Sequence, residues 1–177
     1  DSRFPKQSCE KMRLFISGSA PLRQETFSLF KTRTGLEILE RYGMSETGVN
    51  TSNPLTGERR LGTVGLSLGE SKLRIVDERD QILPIGQVGH VQVKGDNVFS
   101  GYWQMPEKTR AEFTSDGFFR TGDLGKLSED NYLSLVGRAK DLIISGGMNV
   151  YPFEVESYLN QISGICESAV IGIPDQD

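Results

Sequence analysis

Residues 14–48 read LFISGSAPLRQETFSLFKTRTGLEILERYGMSETG. Leu14-Phe15-Ile16 is a short apolar run stopped by Ser17-Gly18-Ser19, the pattern of a buried strand meeting a loop. Pro21 opens a predicted helix running through about Lys31, with Leu22, Phe27 and Phe30 approximating one face. Gly35 supplies a C-cap, and Leu36-Glu37-Ile38-Leu39 reads as a second strand. Strand, helix, strand is the unit of an α/β sheet. In such sheets ligands sit beyond the carboxyl ends of the strands. Two polar loops, 17–21 and 42–48, fall at those ends.

Beyond residue 60 the texture changes. Alternating segments such as Lys72-Leu73-Arg74-Ile75-Val76 and His90-Val91-Gln92-Val93-Lys94 are punctuated by Pro84, Gly86, Gly89 and Gly95, which predicts a small antiparallel sheet or barrel over 61–137. Tyr132-Leu133-Ser134-Leu135-Val136 reads as its last strand. His90, the one histidine, alternates within a strand and reads as structural. A charged junction follows, Gly137-Arg138-Ala139-Lys140-Asp141. Pro152 starts an amphipathic helix carrying Val155, Tyr158, Leu159 and Ile162 on one side, and a strand is predicted at 168–173. The expected layout is an α/β portion over 1–60, a β-rich part over 61–137, and a second small α+β unit beginning at 138. The chain opens on Asp1 in a polar stretch and stops just past that last strand, so a segment of a longer protein is expected.

Composition narrows the function classes. With 36% hydrophobic and 25% charged residues among 177, the chain has the make-up of an ordinary soluble domain. A net charge of -4 with scattered basic residues argues against nucleic acid or an anionic membrane as the main partner. No apolar run approaches a membrane span, and the N-terminus has no signal-peptide pattern. Cys9 and Cys166 match no metal spacing and read as reduced thiols, so the expected compartment is the cytoplasm.

Several loops can carry chemistry, each with a plainer reading beside it. Ser17-Gly18-Ser19-Ala20-Pro21 lets a ring or phosphate approach the backbone, or it is an ordinary strand-to-helix turn. In Tyr42-Gly43-Met44-Ser45-Glu46-Thr47-Gly48, Tyr42 offers a flat face for a base, Ser45 a hydroxyl for a phosphate oxygen, and Glu46 a hard carboxylate suited to Mg²⁺. Alternatively Ser45 caps a following helix and Glu46 decorates its first turn. Arg120-Thr121-Gly122-Asp123 places a carboxylate where it can accept from a ribose diol, or is common turn chemistry. The junction at 137–141 is a solvated linker or a hinge with a ligand-contacting arginine. Ser145-Gly146-Gly147-Met148-Asn149 lets a thin substrate approach the backbone, or is a plain turn. No Ser/His/Asp or Cys/His arrangement is supported.

Together and in this order, these stretches resemble the signature motifs of the adenylate-forming superfamily of acyl-CoA synthetases, luciferases and peptide-synthetase adenylation domains. Residues 17–22 resemble its adenine loop, 42–47 its central aromatic–Gly–Met–Ser/Thr–Glu–Thr motif, and 120–123 its ribose-binding motif. The hinge and the start of the C-terminal domain are matched by 137–141, 145–147 and 149–156. Longer stretches, 40–54 (ERYGMSETGVNTSNP), 98–119 (VFSGYWQMPEKTRAEFTSDGFF) and 136–150 (VGRAKDLIISGGMNV), resemble bacterial-type malonyl-CoA synthetases. At Ile144 the chain departs from the lysine of many relatives.

The resemblance implies an α/β fold: the C-terminal part of a large adenylate-forming domain with a small β-barrel subdomain over 1–137, then the hinge and start of a small α+β domain over 138–177. It implies a cytoplasmic ligase that adenylates a carboxylic acid with ATP, with Mg²⁺ as cofactor, and then forms a thioester with CoA. The partners implied are ATP, CoA and a small acid, with malonate or methylmalonate expected. Alternatives are another small, aromatic or medium-chain acid, a non-catalytic nucleotide-binding derivative of the fold, or a self-contained β-rich binding domain. The implied nucleotide contacts are Ser19, Ala20, Pro21, Tyr42, Gly43, Met44, Ser45, Asp123 and Arg138. Ser45 and Glu46 serve the reaction, Glu46 as the metal ligand. Lys140 is the hinge, and Ser145, Gly146 and Gly147 face CoA. Neither the family's phosphate-loop lysine nor its C-terminal catalytic lysine occurs in the sequence, so these 177 residues alone are expected to catalyse neither half-reaction.

Overall fold

The computed structural model describes residues 9–173. Strand β1 (Phe15–Ser17) leads through helix α1 (Gln24–Thr34) to β2 (Ile38–Met44), which lies parallel to β1 with Phe15 opposite Ile38. This is the expected strand–helix–strand unit, shifted in its bounds. The helix starts at Gln24 rather than Pro21 because Arg23 is still extended and the Leu22 N–H is taken by the Glu40 carboxylate at 3.1 Å. It ends at Gly35, whose φ of 74° lets its N–H close onto the Lys31 carbonyl at 2.8 Å.

The second strand runs further than the sequence predicts. Tyr42, Gly43 and Met44, read as loop, are the end of β2, which folds back as a hairpin onto β3 (Gly48–Ser52). No helix follows Ser45, so the helix-cap reading fails. The hairpin is close-fitting at Gly43, where a Cβ would stand 2.0 Å from the Gly48 carbonyl oxygen. A short β4 (Leu66–Ser67) completes a four-stranded sheet in the order β1-β2-β3-β4.

Strands β5 (Lys72–Val76), β6 (Gly89–Lys94), β7 (Phe119–Leu127) and β8 (Leu133–Arg138) form the second sheet, antiparallel and in sequence order. The sheet is open, with β5 and β8 at its edges, so the expected barrel is not closed. Arg120-Thr121-Gly122-Asp123, read as a turn, lies inside β7, and Arg138 is the last residue of β8 rather than linker. The two sheets are joined where the Val64 N–H donates to the Leu133 carbonyl (2.8 Å) and the Leu133 N–H to the Gly65 carbonyl (2.9 Å). At that junction Tyr42, Val64, Ile75, Val91, Val93 and Leu133 pack into one buried cluster. Burying each side chain of this kind stabilises by about 1.5–3 kcal/mol.

Helix α2 (Pro106–Glu112) precedes β7. After β8 come a 3-10 turn (Ala139–Asp141), a hairpin of β9 (Ile143–Ser145) and β10 (Met148–Val150), and helix α3 (Pro152–Leu159), which begins at Pro152 as expected. The strand predicted over 168–173 is not formed. The run is apolar enough, but among the described residues no strand pairs with it, and the Val170 N–H donates instead to the Glu156 carboxylate at 2.9 Å. Among the described residues no helix is long and apolar enough to cross a membrane.

Candidate nucleotide-binding cleft

The loop after β1, the end of β2, the middle of β7 and the end of β8 meet around a cleft of about 970 Å³. One wall is Gly18, Ser19, Ala20, Pro21 and Leu22; the floor is Glu40, Tyr42 and Asp123; the far side is Arg138, Lys140, Ile143 and Ile144. Thus Ser19, Ala20, Pro21, Tyr42, Gly43, Asp123, Arg138 and Lys140 converge on one space although they span much of the chain. Met44, Ser45 and Glu46 do not line it; Ser45 is exposed on the turn between β2 and β3. Ser145 ends β9 and Gly146 and Gly147 form the turn of the β9–β10 hairpin; all three are exposed and outside the lining.

The floor is held by one carboxylate. Asp123 is 6% exposed; its Oδ2 accepts the Tyr42 hydroxyl at 2.5 Å, and its Oδ1 pairs with Arg138 Nε at 3.0 Å. Its N–H donates to Thr121 Oγ1, which in turn donates to the Val91 carbonyl. Burial pushes the Asp123 carboxyl above the usual range, against the opposing pull of Tyr42 and Arg138. Burial, and then the Asp123 charge, push the Tyr42 hydroxyl far above its ordinary value, so it remains a donor. An ionised carboxylate has about four acceptor positions. With two taken, Asp123 retains capacity for a pair of hydroxyls from the cleft side, a vicinal diol among them.

Glu40 is a floor residue that the sequence reading left without a role. It is buried, accepts the Leu22 N–H, and has its pKa raised by burial, which that bond only partly offsets. The available signal was a carboxylate two residues ahead of Tyr42 at the end of an apolar run. Arg41 also lines the cleft beside Gly18.

Among the described residues no group of three or more His, Cys, Asp and Glu side chains is placed to hold a metal ion. Glu46 offers a single carboxylate on an accessible turn. Such a donor suits Mg²⁺, which is held by one or two carboxylates with substrate phosphates and water completing its octahedron.

Comparison with known proteins gives three concordant results. The family described as AMP-binding enzyme matches residues 2–103. Sulfoacetate–CoA ligase of Cupriavidus necator is 41% identical over 93% of this chain and 32% of its own length. Malonate–CoA ligase of Arabidopsis thaliana is 37% identical over 96% of this chain and 28% of its own. The crystal structure of ATP-bound MatB from Rhodopseudomonas palustris superposes with a TM-score of 0.96 at 52% identity, covering 99% of this chain and 35% of that one. The chain therefore spans about a third of the length of the relatives it matches.

Proposed function

Because the chain belongs to the AMP-binding enzyme family, we propose that it carries the adenylate-binding cleft and pivot of an ATP-dependent acid–CoA ligase. The observation that carries this reading is the buried Asp123 carboxylate, fixed by Tyr42 and Arg138 in the same cleft that residues 18–22 line. In this reading adenine lies between the backbone of Ser19, Ala20 and Pro21 and the side of Tyr42, with Gly43 bordering it and Glu40 accepting from its amino group. The ribose hydroxyls go to Asp123, with Arg138 alongside. Ser45 donates to an α-phosphate oxygen.

The chemistry has two steps. A carboxylate oxygen of the acid attacks the α-phosphorus; an O–P bond forms, the bond to the α–β bridging oxygen breaks, and pyrophosphate leaves. The CoA thiol, losing its proton to solvent, then attacks the acyl carbon through sulfur; a C–S bond forms, and AMP departs with the electron pair of the broken C–O bond. Glu46 would hold Mg²⁺, which supplies charge neutralisation on the phosphate oxygens when bound. Lys140 is the pivot about which the segment that follows it rotates between the steps, bringing Ser145, Gly146 and Gly147 to the pantetheine arm of CoA. The compartment assigned is the cytoplasm, on the free thiols of Cys9 and Cys166.

The acid proposed is malonate or methylmalonate. Its support is that the relatives named for malonate and sulfoacetate both take a short acid with a second anionic group. The test is pyrophosphate exchange by the full-length protein with malonate, methylmalonate, acetate and octanoate. The two diacids are expected to lead by at least about tenfold. Acetate or octanoate in the lead would replace the acid; no exchange with any of them would leave a nucleotide-binding derivative.

A further inference from the structure

Glu46 sits on the turn between β2 and β3, and a loop some fifty residues further along grips that turn at several points. The Phe99 N–H donates to the Glu46 carbonyl at 2.7 Å. The Tyr102 hydroxyl donates to Glu46 Oε1 at 3.1 Å. Beside them the Asn97 side-chain amide donates to the Thr47 carbonyl at 2.6 Å. The turn closes on itself through the Thr47 N–H to the Met44 carbonyl at 3.1 Å. The loop therefore fixes both the backbone and the side chain of the residue read above as the cation ligand.

Tyr102 is itself held in place. Its ring meets Phe99 edge to face with centroids 4.8 Å apart, and Phe99 rests against Phe113 and Phe119. The Lys108 ammonium lies 4.3 Å from the Tyr102 ring centroid, and the Tyr102 N–H donates to Thr109 Oγ1 on α2 at 2.9 Å. A phenol hydroxyl facing an acceptor-only carboxylate is the donor of the pair. With Oε1 taken, Glu46 Oε2 carries no hydrogen bond among the described residues.

We infer that Tyr102 is a positioning residue: by donating to Oε1 it orients the Glu46 carboxylate so that Oε2 stays presented to a divalent cation on the nucleotide phosphates. The inference rests on the assignment of Glu46 as that cation's ligand. Ordering a free glutamate side chain costs conformational entropy, and a hydrogen bond formed beforehand removes part of that cost from cation binding. Outer partners of metal ligands change affinity by about 10–100-fold when lost.

The experiment is Mn²⁺ binding to the full-length protein with a non-hydrolysable ATP analogue, followed by the electron paramagnetic resonance of free Mn²⁺. It is paired with the Mg²⁺ concentration that half-saturates pyrophosphate exchange. Tyr102→Phe is expected to raise both by about tenfold, and Glu46→Gln by at least as much. Lys108→Met, which removes the cation over the ring but keeps the hydroxyl, is expected to stay close to the wild type. Tyr102→Phe binding Mn²⁺ like the wild type while Glu46→Gln binds weakly would overturn the positioning role and leave Glu46 as ligand. Both behaving like the wild type would remove Glu46 from the metal, and the inference with it. A loss in Lys108→Met as large as in Tyr102→Phe would assign the effect to loop packing and overturn the role of the hydroxyl.

Discussion

Asp123 and Gly146 both belong to stretches that the sequence nominates for ligand contact, yet one is buried in the cleft floor and bonded to a tyrosine and an arginine, and the other turns an exposed hairpin. The contrast extends to their surroundings. The floor rests on the cluster that joins the two sheets, whereas no described residue after Val136 is buried. The C-terminal segment is tied to the residue just after Leu22 by an exposed Arg23–Glu167 pair at 3.4 Å, and pairs of that kind are worth about 0–1 kcal/mol. A preorganised floor spares a ligand the cost of ordering its site. A lip with little buried surface can be displaced cheaply, which is what a pivot at Lys140 requires.

The sharpest way to break this contrast is to cut equal volumes from each side. Leu133, fully buried at the sheet junction, is expected to cost about 2–5 kcal/mol of unfolding free energy as Leu133→Ala. Ile144, 71% exposed on β9, is expected to cost less than about 0.5 kcal/mol as Ile144→Ala. Urea unfolding measures both, and comparable losses would show that the lip is as firmly packed as the floor. Next in size is Asp123→Asn, which keeps an acceptor but removes the charge facing Arg138. Hydrogen bonds to charged groups are worth about 1.5–3 kcal/mol, so AMP is expected to bind about 10–100-fold more weakly by calorimetry. An unchanged Kd would detach Asp123 from the ribose.

How far the sequence discloses this layout depends on whether a signal is local. The unit β1-α1-β2 was readable because Gly35 ends the helix by its own conformation and the apolar runs flank it. Strands β5 and β6 were readable from their alternation of apolar and polar residues, although Gln92 is as deeply buried as the valines on either side of it. By contrast, β3 has no apolar alternation in Gly48-Val49-Asn50-Thr51-Ser52; it is a strand because β2 offers it a ladder. Helix α2 buries none of its residues and so carries no hydrophobic period. The converse error, a strand expected at 168–173, arose because apolar character was present and a pairing partner was not. At the site, Asp123 was nominated by its motif, but its bond to Tyr42, 81 residues away, and the burial of Glu40 are tertiary facts that neither segment shows alone.

Glu40 gives the smallest and most specific probe of the floor. The residue is 8% exposed, and burial raises the carboxyl pKa above the ordinary 4.5, with the Leu22 N–H pulling the other way. A raised folded value means that the native state holds the proton more tightly than the unfolded chain. The stability that follows is fully present below pH 4.5 and is lost as pH rises through the folded value. Glu40→Gln keeps a carbonyl acceptor for Leu22 and cannot ionise. The unfolding free energy of the variant relative to the wild type should therefore grow as pH rises from 4.5, then level off once Glu40 is ionised in both states. Urea unfolding across that range measures the difference. A flat difference would mean that Glu40 is solvated despite its position, and one that shrinks would mean that the Leu22 bond outweighs burial. Either outcome would soften the contrast between a dry floor and a wet lip at the residue where the floor begins.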